Sequence, residues 1–572
     1  MLHTGKMPVL RVMRLGVDIS RLGAYNRRGM NVSRILLKPV AFAAGLHASR
    51  QTRAFLDAHR RTERVQAELL ARLVAAHAES DFGRRHGFAS IRNYDDFVRA
   101  VPVASYEAFR PYVERVLAGE TTALLPAGVP VLMFSQTSGT TAQPKHIPVT
   151  PQFLSSIRMG WNVFGLLALQ DHGEAWLRPI LQISSTMRET TSPTGLPCGA
   201  ISGLLAATQK RIVRRMYCLP QAVASIRDPA AKYYATIRCG VMHDVSFITT
   251  ANPSSTIKMI EAGQAHAERL IRDVADGTIR PPGELGPEAA GALRFRPAPG
   301  LARRLRKALD CDGQLLPRHF WNLAFAANWT GGTLRLYLRR LRDLLGDLPV
   351  RDIGLLASEG RFSIPLTDNT PAGVAEILGN FLEFIPAECH GQDAPPTLRA
   401  HELEVGREYF LVFSNWTGLF RYNLDDRVRV VERFGDSPVF EFLCRGRHTA
   451  NITGEKITEH QVVEAMRRAC LRAAARVDRF VMQGCFAAMP YYQLRVEVDG
   501  QADALCRALD EELAALNLEY ASKRKSGRLG PILPVRLTPG SLEQQERQRI
   551  ADRRGRGEQY KHQYLMTEVV EE

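Results

Sequence analysis

No stretch of this chain approaches the roughly 20 consecutive apolar residues that a membrane-spanning helix needs. Short apolar runs such as Val163–Leu169 and Ile201–Ala207 fit core helices or strands instead. Cysteine is scarce and unorganised: Cys198, Cys218, Cys239, Cys311, Cys389, Cys444, Cys470, Cys485 and Cys506 form no C-x-x-C pair. An odd, scattered set argues against a zinc centre or a disulfide framework and for a reducing, cytoplasmic compartment. Cys389 and His390 are adjacent, but no second pair completes a metal site. Aromatic residues are 8% of the chain and are not interleaved with a concentrated basic patch. That combination is what a nucleic-acid reader needs, so no nucleic-acid partner is expected. Internal repeats are absent. The first 29 residues carry Lys6, Arg11, Arg14, Arg21, Arg27 and Arg28 but lack a secretory apolar core with a small-residue cleavage site.

What remains is a long globular composition. The 572 residues, 45% hydrophobic and 23% charged, exceed one ordinary core and imply two or three domains. Lysine plus arginine is 75 against 59 acidic residues, a net +16. Such a charge attracts polyanions without choosing among them. Its local concentrations, Lys210–Arg215, Lys523–Arg528 and Arg547–Arg556, read as solvated helix faces or as a funnel for ATP.

Periodicity predicts helix from about 47 to 80, a short helical piece over Tyr94–Val101, and a β run Val129–Phe134. The run leads into a small-residue loop, and Ile147–Val149 reads as the returning strand. Tyr234–Gly240 and Val245–Thr249 look like a helix-to-strand passage, followed by a helix with Ser254 or Ser255 as N-cap. Asp276–Gly300, rich in glycine and proline, reads as a surface excursion. Trp329–Thr333 is a glycine-bearing turn before helical Leu334–Leu345, and Ile353–Ala357 is a short strand ending at Ser358–Glu359. From Thr458 the pattern becomes helix 459–475, strands 478–486 and 491–498, helix 502–521 and strand 533–537, a small α+β domain.

The most informative segment is Ser135-Gln-Thr-Ser-Gly-Thr-Thr-Ala-Gln-Pro-Lys145. Hydroxyls and freed backbone N–H groups donate to phosphate oxygens, glycine allows close approach, and lysine adds charge. It is neither a Walker A loop nor a G-x-S-x-G elbow. By composition alone it is a polar loop, with a phosphate role as one alternative.

Its residue order resembles the phosphate-binding signature of the adenylate-forming superfamily. More narrowly it resembles the acyl-acid-amido synthetase branch first named from auxin-responsive plant proteins (the Gretchen Hagen family), in a bacterial-type member. Asp81-Phe-Gly-Arg-Arg-His-Gly-Phe88, Val101-Pro-Val and Tyr112–Glu120 share that look. Trp329-Thr-Gly-Gly332 resembles the glycine turn beside the adenine, and Leu355-Leu-Ala-Ser-Glu359 the motif whose glutamate helps hold magnesium. Gly418-Leu-Phe-Arg-Tyr-Asn-Leu-Asp-Asp426 resembles the segment whose last aspartate binds the ribose hydroxyls. Phe442-Leu-Cys-Arg-Gly-Arg447 with Gly454-Glu-Lys-Ile-Thr-Glu459 resembles the hinge, and Gln559-Tyr-Lys561 the closing element whose lysine reaches the α-phosphate.

The resemblance covers about residue 60 to the end. It implies an α/β fold: an extension over 1–45, a large adenylation domain over 46–444, and a smaller mobile α+β cap over 445–572. It implies an ATP- and magnesium-dependent ligase that makes an acyl-AMP and passes the acyl group to an amine, with an amino acid as the expected acceptor. Catalysis falls to Lys561 and Glu359, the latter also the metal ligand. Nucleotide binding falls to Ser135, Thr137, Ser138, Gly139, Thr140, Thr141, Lys145, Gly331, Gly332, Ser358, Asp426, Arg445 and Arg447. An acyl-CoA ligase of the same superfamily and a degenerate nucleotide binder are the alternatives. The departures are Leu355 for a tyrosine, Ala142 for a second loop glycine, His448 after the hinge Gly-Arg, and Asp425-Asp-Arg427 for Gly-Asp-Val.

Overall fold

The computed structural model describes residues 38–571 apart from 138–143, 210, 447–448, 451, 454, 456, 488, 499–500, 526–528 and 553–561. The chain divides into two compact units. One comprises residues up to 330 with 341–424 and 429–441; the other comprises 331–340, 425–428 and 442 onward. Among the described residues no helix is long and apolar enough to cross a membrane.

The first unit opens with helices α1 (Lys38–Ala58), α2 (Thr62–His77) and α3 (Tyr106–Leu117). The single long helix expected over 47–80 is therefore broken at His59–Arg61, a tight 3₁₀ turn. His59 explains the break: its ring is buried and Nδ1 lies 2.7 Å from Ser437 Oγ, a bond that reaches 378 residues along the chain. Strand β1 (Met133–Thr137) pairs antiparallel with β2 (Lys145–Val149), and α4 (Pro151–Asp171) follows, capped by the Thr150 hydroxyl. Phe55 of α1 and Val163, Phe164 and Leu167 of α4 share one apolar cluster.

Two sheets position the site. In the first, β4 (Thr190–Thr191) and β5 (Pro197–Gly199) extend the β1–β2 hairpin in the order β2-β1-β5-β4. In the second, β3 (Ile180–Gln182), β6 (Phe247–Thr249), β7 (Phe325–Ala327) and β8 (Val350–Arg351) run parallel in that order. Parallel strands need crossovers, supplied here by helical segments. These include α5 (Ile201–Ala207), α6 (Pro229–Gly240) and the helix Pro253–Ala265. That last helix is capped by Asn252, whose side chain accepts from the Ser254 N–H. The expected cap at Ser254 or Ser255 is thus displaced to the residue before Pro253, the favoured first helical position. Residues 276–300, expected as a surface excursion, hold a short helix at Gly286–Ala292, with Ala289 and Leu293 buried.

The hairpin β9 (Leu356–Ala357) and β10 (Gly360–Arg361) precedes a seven-stranded sheet. That sheet contains β11 (Ser363–Ile364), β12 (Gly373–Ala375), β13 (Asn380–Pro386), β14 (Leu398–Arg399), β15 (Glu408–Asn415), β16 (Tyr422–Phe434) and β17 (Ser437–Arg445). Their spatial order is β11-β12-β17-β16-β15-β13-β14. Along β16 the period of two puts Tyr422, Leu424, Asp426, Val428 and Val430 on the buried face. One carboxylate thus sits in an otherwise apolar row.

The second unit is α+β. The short hairpin β18 (Thr449–Ala450) and β19 (Ile457–Thr458) leads into α7 (Glu459–Arg472). Thr458 and Gln461 close a capping box at its start. Strands β20 (Phe480–Phe486), β21 (Tyr491–Val496), β22 (Leu533–Arg536) and β23 (Leu565–Glu571) form a sheet in the order β22-β21-β20-β23, with α8 (Ala502–Leu516) sharing the core. Val462 and Met466 of α7, Leu494 of β21 and Leu509 of α8 meet there.

Candidate active site

Within the first unit the structure gathers a cation, a carboxylate and two phenols. Lys145 opens β2, directly opposite Thr137. Its Nζ lies 3.3 Å from the Tyr422 hydroxyl and over the rings of Tyr106 and Tyr422, at 5.3 and 5.9 Å. Tyr106, on α3, is itself clamped: its hydroxyl donates to the His146 carbonyl and accepts from the His146 N–H. The cation–π contacts hold the ammonium on its long stem without neutralising it. Burial pushes the Tyr106 phenol up to about 12, and the charge of Glu359 adds to the rise. Lys145 thus borders Tyr106, and Glu359 is near enough for its charge to act on the phenol.

Ser358 and Glu359 are the two turn residues between β9 and β10. Glu359 is almost fully buried, and its carbonyl accepts from the Asn415 side chain at 2.9 Å. Gly360 must be glycine for space: a Cβ there would press into Asn380 Oδ1 and the Phe362 ring. Upstream, buried Asp352 accepts from the Thr330 N–H and hydroxyl and from the Gly354 N–H, at 2.6–2.7 Å. Trp329 Nε1 donates to the Gly354 carbonyl. These bonds tie the end of β7 to the segment after β8, so residues 352–355 are spent on cross-ties and only Leu356–Ala357 remains strand. Burial raises Asp352 to about 6.

Ser135 lies inside β1, opposite Ile147 and Gly199, and is fully buried. Its hydroxyl has no hydrogen-bond partner among the described residues. Gln136 Nε2 bridges His146 and Thr190. Strand β1 thus runs three residues past the expected Val129–Phe134. Ser138, Gly139, Thr140 and Thr141 lie outside the described residues, as do Arg447 and Lys561; for Thr137 only the backbone is described.

The second unit holds another part of the set. Asp426 is 3% exposed and accepts from Arg445 Nε at 2.8 Å. Gly332 has φ of 56°, and a Cβ there would touch the Leu443 carbonyl and the Phe442 ring. Asp425, which stands where glycine is usual, has φ of 63°, in the left-handed region. Beyond Lys561, the chain is anchored at once. His562 Nε2 is 2.9 Å from the Phe480 carbonyl, and Tyr564 N–H donates to Glu459 Oε1 at 2.7 Å. Glu459 thus seats the start of β23, fixing the chain three residues after Lys561.

Sequence reasoning missed Tyr106, Tyr422 and Asp352, although Tyr422 stands within the Gly418–Asp426 motif. Arg421 of the same motif is also missed. Its φ of 46° and its buried guanidinium, bonded to Glu383, Thr397 and the Val101 carbonyl, make it the anchor of that segment. Nor did sequence reasoning locate a cavity of about 480 Å³ at the carboxyl end of β3, lined by Gln182, Ile183, Tyr217, Val223, Lys232 and others. The crevice beyond strand carboxyl ends is where open parallel sheets bind ligands.

Comparisons with known proteins agree along the chain. The models of the GH3 family N-terminal, central and C-terminal domains match residues 51–350, 376–445 and 460–569. The jasmonoyl–L-amino acid synthetase JAR6 of Nicotiana attenuata is 24% identical over 511 residues, covering 84% of this chain and 87% of that protein. The indole-3-acetic acid-amido synthetase GH3.8 of Oryza sativa subsp. indica is 26% identical over 520 residues, 84% of each. The solved GH3.15 acyl acid amido synthetase superposes with a TM-score of 0.78 at 19% identity, covering 90% of this chain and 94% of that one, which bears on fold.

Proposed function

We infer the reaction from one premise: this chain belongs to the GH3 family. It is a ligase of the acyl-acid amido synthetase kind, which activates a carboxylic acid with ATP and then forms an amide. The proposal concerns which residues act, on which partners. A carboxylate is a poor electrophile because oxide is a poor leaving group. Attack of its oxygen on the ATP α-phosphorus breaks the bond to pyrophosphate, which departs with the electron pair, and AMP becomes the leaving group. An amine nitrogen then attacks the acyl carbon; the bond to AMP breaks and the amine proton goes to solvent. No side chain needs to become acylated.

Lys145, held over two rings, is assigned to the phosphates together with the loop Ser135–Thr141; the buried position of Ser135 limits it to shaping the strand that carries the loop. Lys561 is assigned to the charge that grows at the α-phosphorus. Asp426, fixed by Arg445, is assigned to the ribose hydroxyls, and Gly331–Gly332 to close approach of the base. Glu359 fits a magnesium ion by donor type, a hard carboxylate oxygen. Magnesium bound there would neutralise pyrophosphate charge. The cap, residues 445–572, is assigned a rotation about Arg445–His448 between the two half-reactions.

The acceptor assigned is an amino acid, as in the jasmonoyl–L-amino acid synthetase that this chain resembles. Cytoplasmic residence is supported by nine cysteines, all free. The observation that carries the site is Lys145 held over the rings of Tyr106 and Tyr422 at the start of β2, directly after the loop. ATP–pyrophosphate exchange over a panel of aryl, indole-type and fatty acids tests it, with mass spectrometry of the amide product. Acid-dependent exchange is expected; absence of ATP binding would overturn the reading.

A further inference from the structure

The turn that carries Ser358 and Glu359 is held by very little strand. Strands β9 and β10 are two residues each and form a sheet of their own, Gly360 opposite Ala357 and Arg361 opposite Leu356. A lone hairpin is marginally stable at best in water, and one this short needs other support. Two buried amides give it. Asn415 Nδ2 donates to the Glu359 carbonyl at 2.9 Å, and Asn380 Nδ2 donates to the Arg361 carbonyl at 2.7 Å. These carbonyls flank Gly360, where a Cβ would lie 2.9 Å from Asn380 Oδ1. The missing side chain is therefore the room that the second amide takes up.

The amides are placed by the seven-stranded sheet, not by the hairpin. Asn380 opens β13 and Asn415 ends β15, and the two stand directly opposite in the register. Cross-strand partners share a face, so the side chains meet, and Asn415 Nδ2 also donates to Asn380 Oδ1 at 2.9 Å. Asn415 Oδ1 accepts from the Thr417 N–H and hydroxyl, at 3.1 and 2.6 Å. Both its donors and both its acceptor positions are thus in use. Asn380 gives its other donor to Glu376 Oε2 at 2.8 Å, and that carboxylate accepts from the Leu378 and Gly379 N–H groups. Asn415 is fully buried and Asn380 nearly so. A buried amide with every position filled cannot turn without leaving a polar group unpaired, so the pair is stiff.

We propose that Asn415, backed by Asn380, is a positioning residue of the adenylation step. The two amides fix the Glu359 backbone to the seven-stranded sheet, and so fix where its carboxylate can meet magnesium. The proposal rests on the assignment of Glu359 to magnesium. Side chains that orient a metal ligand affect metal affinity through that ligand, which separates them from groups that only stabilise the fold.

The test is the gain that magnesium gives to ATP binding. Calorimetry on the full-length protein measures it as the ratio of the ATP Kd in EDTA to the Kd with magnesium, at one ionic strength. Glu359→Gln should lower that gain about tenfold, and Asn415→Ala by a similar factor, while the Kd in EDTA stays within about twofold. Asn380→Ser keeps a hydroxyl and leaves Thr417 its partner. It should lower the gain about threefold, and it carries the test if Asn415→Ala does not fold. His59→Gln, at a buried histidine bonded to Ser437, should cost stability and leave the gain unchanged. In the Glu359→Gln background, Asn415→Ala should lower the gain by no more than about twofold, because both changes act on one ligand. A gain lost in Glu359→Gln but kept in both asparagine variants overturns the proposal alone. So does an equal rise of both Kd values, an equal loss in His59→Gln, or the same factor for Asn415→Ala in both backgrounds. A gain that Glu359→Gln leaves intact removes the magnesium assignment of Glu359, and the proposal falls with it.

Discussion

Strands β3 and β8 are the two edges of one parallel sheet, yet the segments beyond their carboxyl ends differ in kind. After β8 the chain is tied down bond by bond. Asp352 holds Thr330 and Gly354, Trp329 holds Gly354, and Asn415 holds the Glu359 carbonyl. Most of those ties involve backbone, so the segment keeps its shape whatever acid is bound. After β3 the chain forms a cavity from side chains contributed by segments between 182 and 236. ATP is common to every reaction of such a ligase and the acid is not. The rigid edge therefore suits the invariant reactant and the side-chain edge the variable one.

That contrast can be broken by substitution. For the residues assigned to ATP, losses should be the same factor for every acid. Lys561→Ala is expected to lower kcat for exchange by about 10³ with ATP affinity little changed, as for loss of a transition-state contact. Equal loss of ATP binding would place Lys561 in ground-state binding instead. Glu359→Gln should lower exchange by about 10², with partial recovery at raised magnesium. Unequal losses across acids in either variant would dissolve the contrast.

A pH test serves as its control, because it touches neither edge. Burial lowers His59 to about 3, and burial, partly opposed by the Leu73 carbonyl, lowers His77 to about 4. Both are neutral when folded, whereas the unfolded chain protonates them near pH 6.5. Their stability is thus intact above that value and is lost as pH falls toward the folded values. Between about pH 7 and 5 each should contribute about 2 kcal/mol of lost stability. Urea unfolding at the two pH values, with His59→Gln removing about half of that dependence, checks it. The ranking of acids should not move.

The smallest expected effect is on the nucleotide. Asp426→Asn should raise the KM for ATP about tenfold, from weaker ribose contacts and a weakened hold on Arg445. A selective effect on one acid would show instead that Asp426 reaches the acyl group.

The same contrast explains what could be read in advance. The turn at Ser358–Glu359 was legible because a short apolar strand ends there, and β9 and β10 pair with only those two residues between them. The position of β1 was not: it begins at Met133 and runs to Thr137, since Ser135–Thr137 reads as loop until pairing with β2 recruits it. The shortened strand before Glu359 was not, because its residues are taken up by ties to Thr330 and Ser363, 22 and 8 positions from their partners. The break at His59 depends on Ser437, which no local pattern contains. Lys232 is an ordinary helical lysine in sequence; only the fold gives it a cavity.

Asp425 carries a last consequence, for the alphabet that position 425 can use. With φ of 63° it disfavours β-branched residues most, and favours glycine, asparagine and aspartate. A saturation library should therefore be enriched in those three at 425 and permissive at the neighbouring half-exposed Asn423. In drifting sequences, that column should behave as a narrow gate between two acceptable letters, glycine and a short polar residue, passable without any change in the chemistry served beside it.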